Sequence, residues 1–100
     1  MYEVELLPTA WGDLKKIQDW YTIQSGPDAA TKVTDGILGS LKRLNVFPES
    51  GSNLPDKWLN EQGYKMVLSG EYISIYKFTC EKVFVYHIAS TKTEYTKLFY

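Results

Sequence analysis

The order of periodicities along the chain predicts an α+β domain: strand, helix, helix, then a three-stranded antiparallel meander, with the helix hairpin packed on one face of a small sheet. Two observations carry this prediction. Apolar residues recur at steps of three and four from about residue 10 to residue 45, and the pattern switches to strict alternation near residue 63. The length, 100 residues, suits one domain (1–100) around one hydrophobic core.

Tyr2, Val4 and Leu6 alternate with Glu3 and Glu5, the pattern of a half-buried strand that Pro8 ends. Thr9 is a candidate N-cap for a first helix, in which Ala10, Leu14, Ile17 and Tyr21 share a face as far as about Gln24. Ser25-Gly26-Pro27-Asp28 is a turn, and Pro27 is placed to enter a second helix. Ala30, Val33, Ile37, Leu41 and Leu44 give that helix its stripe through about Asn45. Gly36 and Gly39 each cost such a helix about 1 kcal/mol relative to Ala, which suggests close approach of another backbone. Residues 47–62 read as a long surface connection pinned by Trp58 and Leu59. The meander strands are Tyr64 to Leu68, Tyr72 to Phe78 and Val83 to Ala89, and the tail from Thr93 to Tyr100 is a short helix or an extended arm.

Composition excludes several classes. Eleven basic residues against twelve acidic ones give no global field for nucleic acid, and only Arg43 among them is arginine. One His and one Cys are too few for a structural or catalytic metal site, and no Gly-rich phosphate loop or Gly-x-Ser-x-Gly elbow occurs, so no metal or cofactor is expected. No leader is evident, and no apolar run approaches the roughly 20 residues that cross a bilayer, so the expected location is the cytoplasm.

Many weak matches in order then accumulate: Ala10 and Asp13-Leu14, Leu44…Phe47-Pro48…Gly51, Gly63-Tyr64-Lys65, Tyr76, Val83-Phe84-Val85-Tyr86-His87-Ile88, and Ser90-Thr91-Lys92-Thr93-Glu94-Tyr95. In this sequence and spacing they resemble the RelE/ParE toxins of type II toxin–antitoxin systems. The resemblance implies a toxin silenced by a cognate antitoxin protein, and either of two activities. One is ribosome-dependent cleavage of mRNA by a metal-independent endoribonuclease; the other is inhibition of DNA gyrase.

Cleavage by a 2′-hydroxyl needs a base, cations on the phosphate and an acid for the leaving oxygen. Lys65 and Lys92 stand where the family carries arginines and are the candidates for phosphate. His87 and Tyr95 are the candidates for proton transfer, with Tyr76, Lys57 and Lys97 as substrate contacts. If Met66, Ile73, Ile75, Tyr86 and Ile88 face the helices, alternation sends Lys65, Tyr76 and His87 to the opposite face. Each also has a structural reading. His87 can be a hydrogen-bonded strand residue, Tyr76 a cap on the sheet, Tyr95 an anchor for the tail and the lysines solvated.

Two departures weigh against cleavage. Lysine lacks arginine's bidentate grip, and the basic residues before the Gly-Tyr pair reduce to Lys57, with Asp56 and Glu61 close by. Three readings follow: an mRNA endonuclease, taken first; a non-enzymatic gyrase toxin; and a non-toxic relative acting as a binding domain. Lys65, Lys92 and Lys97 gathered around His87 would favour the first. A face filled by aromatics with the lysines dispersed would favour the second.

Overall fold

The computed structural model describes residues 1–99. Its first strand, β1 (Glu3–Leu6), turns Tyr2, Val4 and Leu6 toward the core, as the alternation predicts. Helix α1 (Pro8–Ser25) follows with Pro8 in its first turn and no side-chain cap. The Thr9 hydroxyl, expected as that cap, instead donates to the carbonyl of Tyr86. Gly26 adopts φ +92°, a conformation that favours glycine. There its N–H closes α1 on Thr22 O while its carbonyl accepts from Ala30 to start α2 (Pro27–Lys42).

A single 3₁₀ turn, Arg43–Asn45, completes the second apolar stripe. The backbone approach expected at Gly36 and Gly39 is absent. A Cβ on Gly39 would meet nothing, and one on Gly36 would meet only Ser69 Oγ, at 3.5 Å.

The connection from residue 47 to residue 62 is more ordered than its composition suggests. It contains a two-residue strand, β2 (Ser52–Asn53), and a short helix, α3 (Lys57–Glu61), N-capped by the Asp56 carboxylate on Leu59 N. Leu59 is fully buried and pins the segment, whereas Trp58 is about half exposed. The meander is β3 (Lys65–Ser69), β4 (Tyr72–Phe78) and β5 (Lys82–Ser90).

The five strands lie in the order β1-β5-β4-β3-β2, with β1 parallel to β5 and every other pair antiparallel. The helix pair covers one face, where Ala10, Leu14, Ile37 and Leu41 pack on Val67, Tyr76, Val83, Val85 and Ile88. The second face is not open. Leu54 and Leu59 from the connection, with Tyr95 and Phe99 from the tail, pack there on Met66, Ile73, Ile75 and Ala89.

The sheet faces are therefore reversed from the expectation at six positions. Met66, Ile73, Ile75 and Tyr86 point away from the helices, and Tyr76, with its register partner Lys65, lies on the helix side. Two physical causes combine. Both faces of β4 are buried, with Ser74 only 1% exposed on the helix side, so its Ile/Ser alternation does not report a solvent face. A bulge then opposes Ile75 to His87 but Tyr76 to Val85, leaving Tyr86 as the extra residue of β5 and shifting the phase of that strand.

Candidate functional site

Strand β1 ends at Leu6, so β5 loses its parallel neighbour beyond Val85. Helix α1 takes over that edge. Thr9 bonds Tyr86 O, and four residues on, on the same face of α1, Asp13 reaches β5. One oxygen of Asp13, Oδ2, meets both the Ile88 amide at 3.1 Å and His87 Nδ1 at 2.9 Å. The side chains of His87 and Asp13 are 16% and 21% exposed. With Nδ1 as donor, the carboxylate fixes the ring and leaves Nε2 as its second polar atom.

Around this pair stand aromatic rings. Phe99 meets His87 edge-on at 5.2 Å and Tyr64 at 4.9 Å, and Tyr64 meets Tyr86 at 5.1 Å. Lys77 places its ammonium 4.3 Å from the centre of the Tyr64 ring, a cation–π contact. Burial pushes the Tyr64 hydroxyl above the usual tyrosine range, and neighbouring Tyr86 adds to the shift. This is a chiefly aromatic patch on the face away from the helix pair.

The candidate lysines do not join it. Lys65 lies in register with Tyr76, hence on the opposite face from His87, and its Nζ meets Asn53 Oδ1 at 3.3 Å. Lys57 pairs with Glu61 on α3, and Lys97 with Glu94 in the tail. Lys92 follows β5 and lines a groove with Lys16 and Trp20.

Tyr76 is fully buried, so the substrate contact expected of it has no exposed atom to use. Its hydroxyl donates to Pro48 O at 2.6 Å and accepts from Gly51 N at 3.0 Å. Burial raises its pKa, against smaller lowering effects from Gly51 and Arg43. Tyr95 packs in the second cluster and accepts from the Asp56 amide at 3.2 Å.

Sequence reasoning missed Asp13 and Phe99 as neighbours of His87, and Lys77 as a neighbour of Tyr64. Only Asp13 carried a signal, as a carboxylate one residue before a core leucine in α1. Among the described residues no group of three His, Cys, Asp or Glu side chains is arranged to hold a metal.

Comparisons with known proteins agree with this architecture. Residues 4–95 match the family described as ParE toxin of type II toxin-antitoxin system, parDE. A search of curated proteins returns no match. Among solved structures, a chain of the chromosomal ParDE system of P. aeruginosa superposes with a TM-score of 0.76 at 20% identity, covering 90% of this chain and 96% of that one. A chain of the RelBE2 toxin–antitoxin complex of Mycobacterium tuberculosis gives 0.58 at 21% identity, over 89% and 96%. YafQ of E. coli gives 0.56 at 18% identity, over the whole of both chains. At these identities the structural matches establish the shared fold, and the family match spans nearly the whole sequence. The chain belongs to the ParE toxin family of type II toxin–antitoxin systems.

Proposed function

We propose that this toxin acts by binding a protein target, DNA gyrase, rather than by cutting RNA. The observation that carries the reading is the surrounding of His87: aromatic rings and one carboxylate, with Lys57, Lys65 and Lys97 each engaged elsewhere. Phosphoryl chemistry needs cations converging on one phosphate, and a near-neutral chain with dispersed lysines supplies weak attraction for ribosomal RNA. Protein recognition needs neither, and aromatic patches are its usual anchors. The greater similarity to the ParDE chain than to the RelBE2 and YafQ chains supports the same choice.

The test is pulse labelling during induced expression, with purified toxin added to a gyrase supercoiling reaction in parallel. DNA synthesis should halt before protein synthesis, and supercoiling should be inhibited. Early arrest of translation, with new mRNA 5′ ends by primer extension, would overturn the proposal.

One observation favours the nuclease as a second reading. His87, oriented through Nδ1 by Asp13, has the arrangement of a general base acting through Nε2. In that case His87→Gln would slow cleavage by about a hundredfold.

A further inference from the structure

Strand β1 ends the sheet on its side, and the backbone shows which of its groups have partners. The amides of Glu3 and Leu7 donate inward, to Glu81 O and Val85 O. Backbone groups alternate along a strand, so those of Val4 and Leu6 point the other way, out of the sheet. Tyr2, of the same parity, donates outward to Asn45 O at 2.7 Å. Among the described residues no hydrogen bond reaches the outward amides of Val4 and Leu6, which form a short open edge.

The two sides of this edge differ in chemistry. On the helix side a hollow of about 260 Å³ is lined by Val4, Leu6, Leu38, Leu41, Lys42 and Asn45, four of them apolar. On the other side Glu3 and Glu5 are exposed, and the cation paired with them among the described residues is Lys82, 4.0 Å from Glu5. Two carboxylates against one ammonium leave this strip acidic. It runs on into the aromatic patch: Glu5 lies beside Phe84, Phe84 lies opposite Lys77, and Lys77 sits over Tyr64.

The acidic strip decides between occupants. A second copy docked antiparallel on the same edge would bring Glu3 and Glu5 against their own counterparts, like charges across a strand pair. A strand that alternates apolar and basic residues meets no such penalty. Its apolar side chains enter the hollow while its basic ones face Glu3 and Glu5. We infer that the outer edge of β1 takes an extended segment of the target protein, with that alternation, as a sixth strand of the sheet. The inference rests on the proposed protein target, DNA gyrase, and gives its docking an edge and a chemistry. Main-chain bonds to Val4 and Leu6 supply affinity, the hollow and the two glutamates supply specificity, and the adjoining aromatic patch widens the contact.

The probe is purified gyrase, titrated with the full-length toxin by calorimetry at low and high salt. Val4→Pro removes an outward N–H and no bond to β5, and proline is tolerated on such an edge. It should weaken binding at least about tenfold. Val4→Ala, which keeps the N–H and loses at least as much packing, should weaken it less than about threefold. Glu3→Lys with Glu5→Lys should weaken it about tenfold at low salt and little at high salt. Hydrogen exchange of the parent reads the edge without any substitution: gyrase should slow exchange at Val4 and Leu6. Unchanged exchange with gyrase bound, or a Val4→Pro protein that melts like Val4→Ala and binds like the parent, would overturn the edge and leave the gyrase reading standing. So would a toxin that dimerises through this edge, seen as protection that rises with its own concentration. A parent that binds no gyrase would overturn both.

Discussion

Asp13 and His87 lie 74 positions apart in the chain and meet at 2.9 Å, with the Ile88 amide on the same carboxylate oxygen. The contact locks the first helix to the last strand at the point where β1 has run out. Truncating Asp13 to Ala leaves a buried strand amide and the imidazole without their acceptor. Asp13→Ala should cost about 1–3 kcal/mol in urea unfolding, and His87→Gln less, since the amide bond survives. The double variant should be less destabilised than the sum of the two singles; strict additivity would mean that the pair is not coupled.

Tyr76 serves two backbone groups of the connection, Pro48 O and Gly51 N. Tyr76→Phe keeps the ring and removes both bonds, and should destabilise by about 1–3 kcal/mol. Gly51→Ala should do comparable damage, since its new methyl would stand 2.8 Å from both Met66 O and Tyr76 Cε1. Thermal melts of the two variants decide the matter. A Gly51→Ala protein that melts with the parent would refute the close approach.

Alkali should loosen the fold through tyrosine. Burial, with Tyr21 and Glu71 nearby, pushes Tyr72 up to about 12, and burial also raises Tyr64 and Tyr76. Their folded pKa values lie above the unfolded value of roughly 10. The folded state therefore holds more protons between pH 10 and 12, and stability falls as pH rises through that window. Below it, these groups leave stability flat. Ultraviolet titration should show late-titrating phenols that become ordinary in urea. A single uniform transition near pH 10 in the folded protein would contradict this.

The tail acts as a cover. Removing residues from Glu94 onward takes Tyr95 and Phe99 off Met66, Ile73 and Ile75 and exposes a continuous apolar face. The truncated chain should bind the dye ANS strongly and self-associate, as light scattering would report. A monomeric, dye-silent truncation would show that the second cluster stands without the tail.

Element order was legible because periodicity survives translation into any fold: Val4 and Leu6, then Leu14 and Ile17, then Ile73 and Ile75 announce strand, helix, strand. The assignment of faces was not. Alternation identifies two faces without naming them, and it is informative only when one meets water; here α3 and the tail bury the second. The bulge at Tyr86 cannot be read from residue types, since Val83, Val85, His87 and Ala89 keep a formal alternation through it. Asp13 was hidden for a different reason: its partner is distant in sequence, and a carboxylate on an amphipathic helix looks like any solvated one.

The parallel pairing of Glu3–Leu6 with Lys82–Val85 has a consequence for synthesis. The first strand made is the last to find its place, because its neighbour is the last strand translated. At about 5–20 residues per second, the opening segment waits roughly 4–16 s for its partner to be synthesised. Thr9 and Asp13 wait with it, since Tyr86, His87 and Ile88 are later still. A nascent copy therefore cannot close its sheet until residues through Ile88 are available to pair.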